Sequence, residues 1–250
     1  MGMKRMIYRI AKLLNHNSFI GIESGAKQEC LIMGKGIAFG KKIGQTIEVP
    51  QDARIYSLKE LTDRGDAREI INSVSPVCLE LANEILREAE AEFGDIDRSI
   101  LFPIADHLDF AIRRLQRGEQ ISNPLTEDIR ILFYKEYKVA GCIAPMLKEK
   151  FQIELDEHET GYIALHVHSA IVDEKVSQAM EIARTVRECI SLVEKETGNS
   201  IDVMSLAYNR LMNHVRYMVA RAIHGEKLKM NLNDYMSVKF PEAFHASERI

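Results

Sequence analysis

Tryptophan is absent, and four cysteines, Cys30, Cys78, Cys142 and Cys189, are scattered over 250 residues. They form no CxxC pair, which argues against a disulfide framework and against a zinc site, and they read as small buried hydrophobes. No apolar run approaches the roughly 18 residues that span a bilayer. The start, Met-Gly-Met-Lys-Arg-Met-Ile-Tyr-Arg, lacks a signal-peptide apolar region and cleavage site. A cytoplasmic protein without membrane insertion is expected. The nucleotide-binding spacings GxxxxGK[ST] and GxGxxG are missing as well. His158, His166 and His168 offer no i,i+4 pair with a carboxylate third ligand, and 166 and 168 point to different helix faces. Neither a metal nor a cofactor is expected.

The net charge of −4 conceals an uneven distribution. Residues 1–55 carry nine Lys and Arg against four Asp and Glu, whereas the remainder carries 24 against 33. A small basic head on an acidic body points to a polyanion-binding module. In this head short apolar runs, at 7–14, 19–22, 30–33, 37–39 and 46–49, are separated by turn residues and predict a small antiparallel sheet. Such a sheet buries only a marginal core, so dimerisation or packing on another copy is expected. The stretch Met33-Gly-Lys-Gly-Ile-Ala-Phe-Gly-Lys-Lys42 stands out. Gly34 and Gly36 let the backbone beside Lys35 approach a ligand, Phe39 offers a face for a stacked base, and Lys41 and Lys42 suit phosphates. The alternative is a glycine-rich hairpin with a buried Phe and solvated lysines.

A polar linker, 57–68, contains Asp63-Arg-Gly-Asp66, and from Glu69 onward helical periodicity dominates. Val74, Val77, Cys78, Leu81 and Ile85 form one apolar face opened by Ser75-Pro76 as cap and first-turn proline. A helix around His107 stops at Gly118, and Asn123-Pro124-Leu125 opens another through Tyr134. The pattern continues over 139–151, with Gly141 and Pro145 as weak points. Asp156-Glu-His-Glu159 has capping-box spacing and starts a helix through Ala170. Further on, a helix over 176–193 is stopped by Gly198, and the His214 helix follows. His16, His224 and His245 read as surface or turn residues.

A shift of 107 positions lays His107 on His214, Arg114 on Arg221, Gly118-Glu119 on Gly225-Glu226, Leu125 on Leu232, Phe133 on Phe240 and Ile143 on Ile250, without a gap. The period is too long for a solenoid and indicates a duplicated helical domain. In each copy the Arg lies two helical turns after the His, on the same face. A nearby guanidinium favours the neutral, nucleophilic imidazole and provides a fork for a phosphate, so Arg114 and Arg221 are candidate phosphate-supporting residues. The plainer alternative is a histidine that caps a helix interface. Nothing in this sequence follows Ile250 to repeat the His166 helix, so the second copy is expected to be C-terminally incomplete and less stable than the first.

Taken together, Asn15-His-Asn17, Met33-Gly-Lys-Gly-Ile-Ala-Phe39 with Lys41-Lys42, Asp106-His-Leu-Asp-Phe-Ala-Ile112 and Gly161-Tyr-Ile-Ala-Leu-His166 resemble the BglG-type transcriptional antiterminators of bacteria. The resemblance covers the whole chain. It implies a multi-domain protein: a small antiparallel β-sheet co-antiterminator (CAT) RNA-binding domain at 1–56, the linker 57–68, and two all-α helical-bundle phosphotransferase regulation domains (PRD) at 69–172 and 173–250. It implies a homodimer that stabilises an mRNA hairpin overlapping a terminator. Lys12, Asn17, Gly34, Lys35, Gly36 and Phe39 correspond to RNA-contacting positions, Lys35 standing where many members have Arg. His107, His166 and His214 correspond to phosphorylatable histidines, with HPr and a sugar-specific enzyme II as the implied partners. Such a protein is a regulator and not an enzyme. Two rivals stay open on the residues alone: a histidine phosphotransfer enzyme with a basic docking module, and a helical dimerisation protein with an inert sheet.

Overall fold

The computed structural model describes residues 6–25, 28–59, 61–62, 65–172, 174–202, 205–223, 225–226 and 232–249. Asp63 and Arg64 of the linker motif, His224 and the repeat-matched Ile250 lie outside the described residues. The chain divides into two compact units, Met1–Gln120 with Val139–Leu155, and Ile121–Lys138 with Asp156–Ile250.

In the first unit five strands, β1 (Ile7–Asn15), β2 (Ser18–Glu23), β3 (Glu29–Met33), β4 (Thr46–Glu48) and β5 (Arg54–Ser57), form an antiparallel sheet in the order β4-β1-β2-β3-β5. Alternation sorts the side chains by face. Tyr8, Ile10, Phe19, Cys30, Ile32 and Ile47 gather into one core with Ala38 and Val49. The register Ile20 to Leu31 to Tyr56 lines up a second buried row. Tyr56 reaches the helices: its ring meets Phe102 edge-on, and its hydroxyl donates to Asn83 Oδ1 (2.7 Å). The head therefore packs against helices of its own chain, in addition to any second copy.

Two expectations for the head need correction. Residues 37–39 form part of a turn, because Gly36 and Gly40 adopt left-handed backbone at φ +66° and +67° and curl the segment. The strand β5 lies instead at 54–57, where the sequence has only Arg-Ile-Tyr-Ser and shows too little alternation to announce itself. The linker also holds structure: strands β6 (Leu61–Thr62) and β7 (Gly65–Asp66) pair, and Asp66 then caps α1 (Ala67–Ser73) by accepting from Arg68 N.

Helix α2 (Pro76–Phe93) begins where Ser75-Pro76 predicts. Asp109 of α3 (Leu101–Gln116) accepts from Ser75 N at 2.9 Å and pairs with Arg113 at 2.7 Å, so it ties the start of α2 to α3. A 3-10 turn at Gly141–Ile143 and helix α6 (Ala144–Phe151) complete this unit.

The second unit contains α4 (Thr126–Leu132), α5 (Tyr134–Ala140, shared at its end with the first unit), α7 (Glu157–Ile171), α8 (Val176–Thr197), α9 (Leu206–Ile223), α10 (Asn233–Lys239) and α11 (Pro241–Ser247). The continuous helix expected through Tyr134 is broken at Phe133, whose φ −120° and ψ 44° leave helical geometry. Asp156 caps α7 as its spacing predicts, accepting from Glu159 N at 2.8 Å. Helix α4 packs against α7, α8 and α9. Their junction is polar at its centre: Tyr208 hydroxyl donates to Asp128 Oδ1 (3.2 Å), and Arg216 donates to Leu132 O (2.9 Å).

The duplication extends to backbone detail. Gly118 and Gly225 end α3 and α9 at φ +74° and +67°, with Glu119 N donating to Arg114 O (3.2 Å) and Glu226 N to Arg221 O (2.9 Å). Helices α10 and α11 repeat the break of α4 and α5 at Phe240. Side-chain burial diverges. Phe133 is 1% exposed beneath the His168 ring, whereas Phe240 is 51% exposed.

Candidate RNA interface and phosphorylation sites

One end of the sheet assembles most of the head's candidate residues. Asn17 closes the turn between β1 and β2 and bridges to the glycine-rich segment. Its carbonyl accepts from Gly34 N (2.9 Å), and its Oδ1 accepts from Gly36 N (2.8 Å). Ala38 N donates to His16 O (3.0 Å), which completes the stitch. Asn15 Oδ1 fixes the turn from beneath by accepting from Asn17 N (2.8 Å) and Ser18 Oγ (2.9 Å). Lys35, Lys41 and Lys42 are exposed. Phe39 is 69% exposed, which overturns the alternative of a hairpin with a buried Phe. A solvent-facing aromatic beside free lysines and glycine backbone is the make-up of a stacking platform with phosphate contacts.

Lys12 lies along β1, where single-residue irregularities in the β1–β2 register occur on either side of Lys12-Leu13. It is exposed, and its Nζ donates to Asn72 Oδ1 at 2.7 Å. The glycine-rich segment, Asn17 and Phe39 thus lie together at one end of the sheet, with Lys12 farther along β1. Sequence reasoning read His16 as a surface or turn residue and gave it no part in the site. The structure places its ring edge-on to Phe39, centroids 5.4 Å apart.

The three histidines occupy unlike surroundings. His107 on α3 is 9% exposed and His166 on α7 is 4% exposed, so both are buried. His214 on α9 is exposed. His107 belongs to the first compact unit, and His166 and His214 to the second. Arg114 is half-buried, its guanidinium 5.2 Å from the centroid of the exposed Phe110 ring. Arg221 occupies the same place in α9, seven residues after His214. His168, set aside for lack of a metal pattern, serves packing: its Nδ1 lies 3.0 Å from Glu136 Oε1 and its ring covers Phe133. Exposed His16 and His245 agree with their surface reading.

A model of the CAT RNA binding domain matches residues 8–64, and one of the PRD domain matches 68–170 and again 187–250. The chain belongs to the BglG-type antiterminator family. Transcription antiterminator LicT of Bacillus subtilis (strain 168) is 27% identical over 246 residues, covering 97% of this chain and 88% of LicT. The beta-glucoside operon antiterminator of Dickeya chrysanthemi is 26% identical over 248 residues, covering 97% and 87%. The crystal structure of GlcT CAT-PRDI superposes with a TM-score of 0.56 at 28% identity, over 66% of this chain and 99% of that one. As a BglG-type antiterminator, the chain combines an RNA-binding head with regulation domains that answer to phosphotransferase-system phosphorylation. Among the described residues no helix is long and apolar enough to cross a membrane.

Proposed function

We propose that the chain works as a cytoplasmic homodimer that holds a structured mRNA hairpin through Lys12, Asn17, Gly34, Lys35, Gly36 and Phe39. Phosphate received on His107, His166 and His214 from HPr and a sugar-specific enzyme II sets its state, Arg114 and Arg221 steadying the phosphoryl groups. On this reading the head is 1–56, the linker 57–68, and the regulation domains 69–172 and 173–250. Phosphate modifies the protein and is not turned over, so the chain is a regulator rather than an enzyme.

The observation that carries the reading is the bridge from Asn17 to Gly34 and Gly36, which fixes a glycine backbone beside an exposed Phe39 and three exposed lysines. Gel-shift titration of the full chain with a hairpin RNA containing interrupted pairing tests it. Phe39→Ala should weaken binding about tenfold or more, in line with the roughly 1–3 kcal/mol of one stacked base. Lys35→Ala should weaken it and flatten its salt dependence. Binding equal to the parent in both variants would place the site elsewhere.

A further inference from the structure

Two of the six residues assigned to RNA are already engaged by the helices. Lys12 Nζ donates to Asn72 Oδ1 (2.7 Å), and Asn17 Nδ2 donates to Glu80 Oε1 (2.9 Å). Asn15 Nδ2 donates to the same Glu80 oxygen at 2.9 Å, while Glu80 Oε2 lies 3.5 Å from Lys150 Nζ. The orientation of both head amides is set independently of Glu80. Asn15 Oδ1 accepts from Asn17 N and Ser18 Oγ, and Asn17 Oδ1 accepts from Gly36 N, so each side chain must turn its NH2 outward. Two aligned donors outside a glycine-rich turn form a receptor for an anionic oxygen. Here the oxygen comes from a carboxylate whose side chain is only 14% exposed.

We propose that the first turns of α2 and an RNA backbone are alternative occupants of one surface of the head, Glu80 standing in the place of an RNA phosphate and Asn72 holding the lysine that would reach a second. The proposal rests on the reading that Lys12 and Asn17 serve RNA. Occupation is partial: Phe39 and His16 stay exposed, so RNA meets an open stacking face but must displace Glu80 to gain the amides of Asn15 and Asn17. The contact is anchored on both sides, by Asn72 Nδ2 donating to Arg68 O within α1 and by ion pairs of Arg68 with Glu29 and Arg54 with Glu90. Any change in the helical body that pulls α1 and α2 from the head frees the RNA surface. When only a fraction of molecules is open, apparent affinity falls by that fraction.

The test is RNA binding by the full chain with Glu80→Ala, Glu80→Gln, Asn72→Ala and Phe39→Ala. Loss of two hydrogen bonds to a charged acceptor should raise affinity about tenfold in Glu80→Ala. Glu80→Gln, which keeps an oxygen for both amides but lacks the charge, and Asn72→Ala should each give a smaller gain. Affinity unchanged or lowered in Glu80→Ala overturns the proposal. If Phe39→Ala binds like the parent, the RNA-site reading has failed. If Phe39→Ala weakens binding while Glu80→Ala brings no gain, only the competition has failed. Hydrogen exchange on the unaltered chain gives a second readout that needs no variant to fold. Saturating RNA should speed exchange in Ala67–Ser73 and the first turns of α2, and unchanged protection there would overturn the proposal.

Discussion

A phosphoryl group on His107 or His166 would bring up to two negative charges to a ring that the fold keeps from water, and uncompensated burial of charge costs several kcal/mol. Beyond the charge that Arg114 would offset beside His107, modification at these positions is expected to loosen the packing around α3 or α7, while exposed His214 takes the same group without rearrangement. Diethyl pyrocarbonate with peptide mapping should modify His214 at least about tenfold faster than His107 and His166, since local opening limits the buried rings. Equal rates would mean that the two are reached without opening. In vitro labelling from phosphoenolpyruvate through the general phosphotransferase proteins should place acid-labile phosphate on the first regulation domain, and a His107→Ala, His166→Ala double variant should lose it. At this scale the sequence exposed what is local and hid what is remote. The bend at Gly34-Lys-Gly36 and the cap at Asp156 are written in neighbouring residues. Glu80 meets Asn17 across 63 positions and Asp109 meets Ser75 across 34, so no spacing rule could join them.

Among the elements, α4 with α5 and α10 with α11 form a natural comparison, because 107 positions separate two helix pairs of the same length and break. The first pair buries Ile129, Leu132, Phe133, Val139 and Ala140, whereas neither α10 nor α11 contains a buried residue. Burying one large apolar side chain stabilises by about 1.5–3 kcal/mol. Amides of Met236, Phe240 and Phe244 should therefore exchange at least about tenfold faster than those of Ile129, Phe133 and Tyr137. Comparable protection would mean that another surface covers α10 and α11. Helices were readable here because a 3.6-residue apolar stripe persists over several turns. Their breaks were less so: Phe133 interrupts helical geometry without a Gly or Pro to signal it. The run at 37–39 failed as a strand for a related reason, three apolar residues being too few to distinguish a strand from a turn lined by Ala38 and Ile37 against the core.

Across the whole molecule the duplicated sequence and the compact units divide differently. Helices α4 and α7 precede the second copy in the chain yet pack with its α8 and α9, a partition that depends on tertiary contacts and is therefore invisible to repeat analysis. At the junction, burial raises the Asp128 carboxyl above its ordinary value, while Arg187 at 3.9 Å and the Tyr208 hydroxyl pull it back. The protonated form is thus the one the fold favours. Its contribution is present below the unfolded-state value of about 3.9 and lost as pH rises through the folded-state value. Asp128→Asn, which still accepts from Tyr208, should gain stability relative to the parent as pH rises through that window and show no gain below it. Urea denaturation at a series of pH values checks this, and a difference independent of pH would remove Asp128 as its source.

Helix α4 has a further consequence for anyone who cuts the chain by its repeat. A segment copied as a block need not fold as a block. A break at 172 would leave Asp128 without Tyr208 and Arg187, and would strip α8 and α9 from α4 and α7. Such a piece carries a raw seam. Residues 1–172 should accordingly self-associate through the uncovered faces of α4 and α7, and sedimentation should show a concentration-dependent shift beyond that of the intact chain; a shift equal to the intact chain's would mean that the cut leaves no adhesive face.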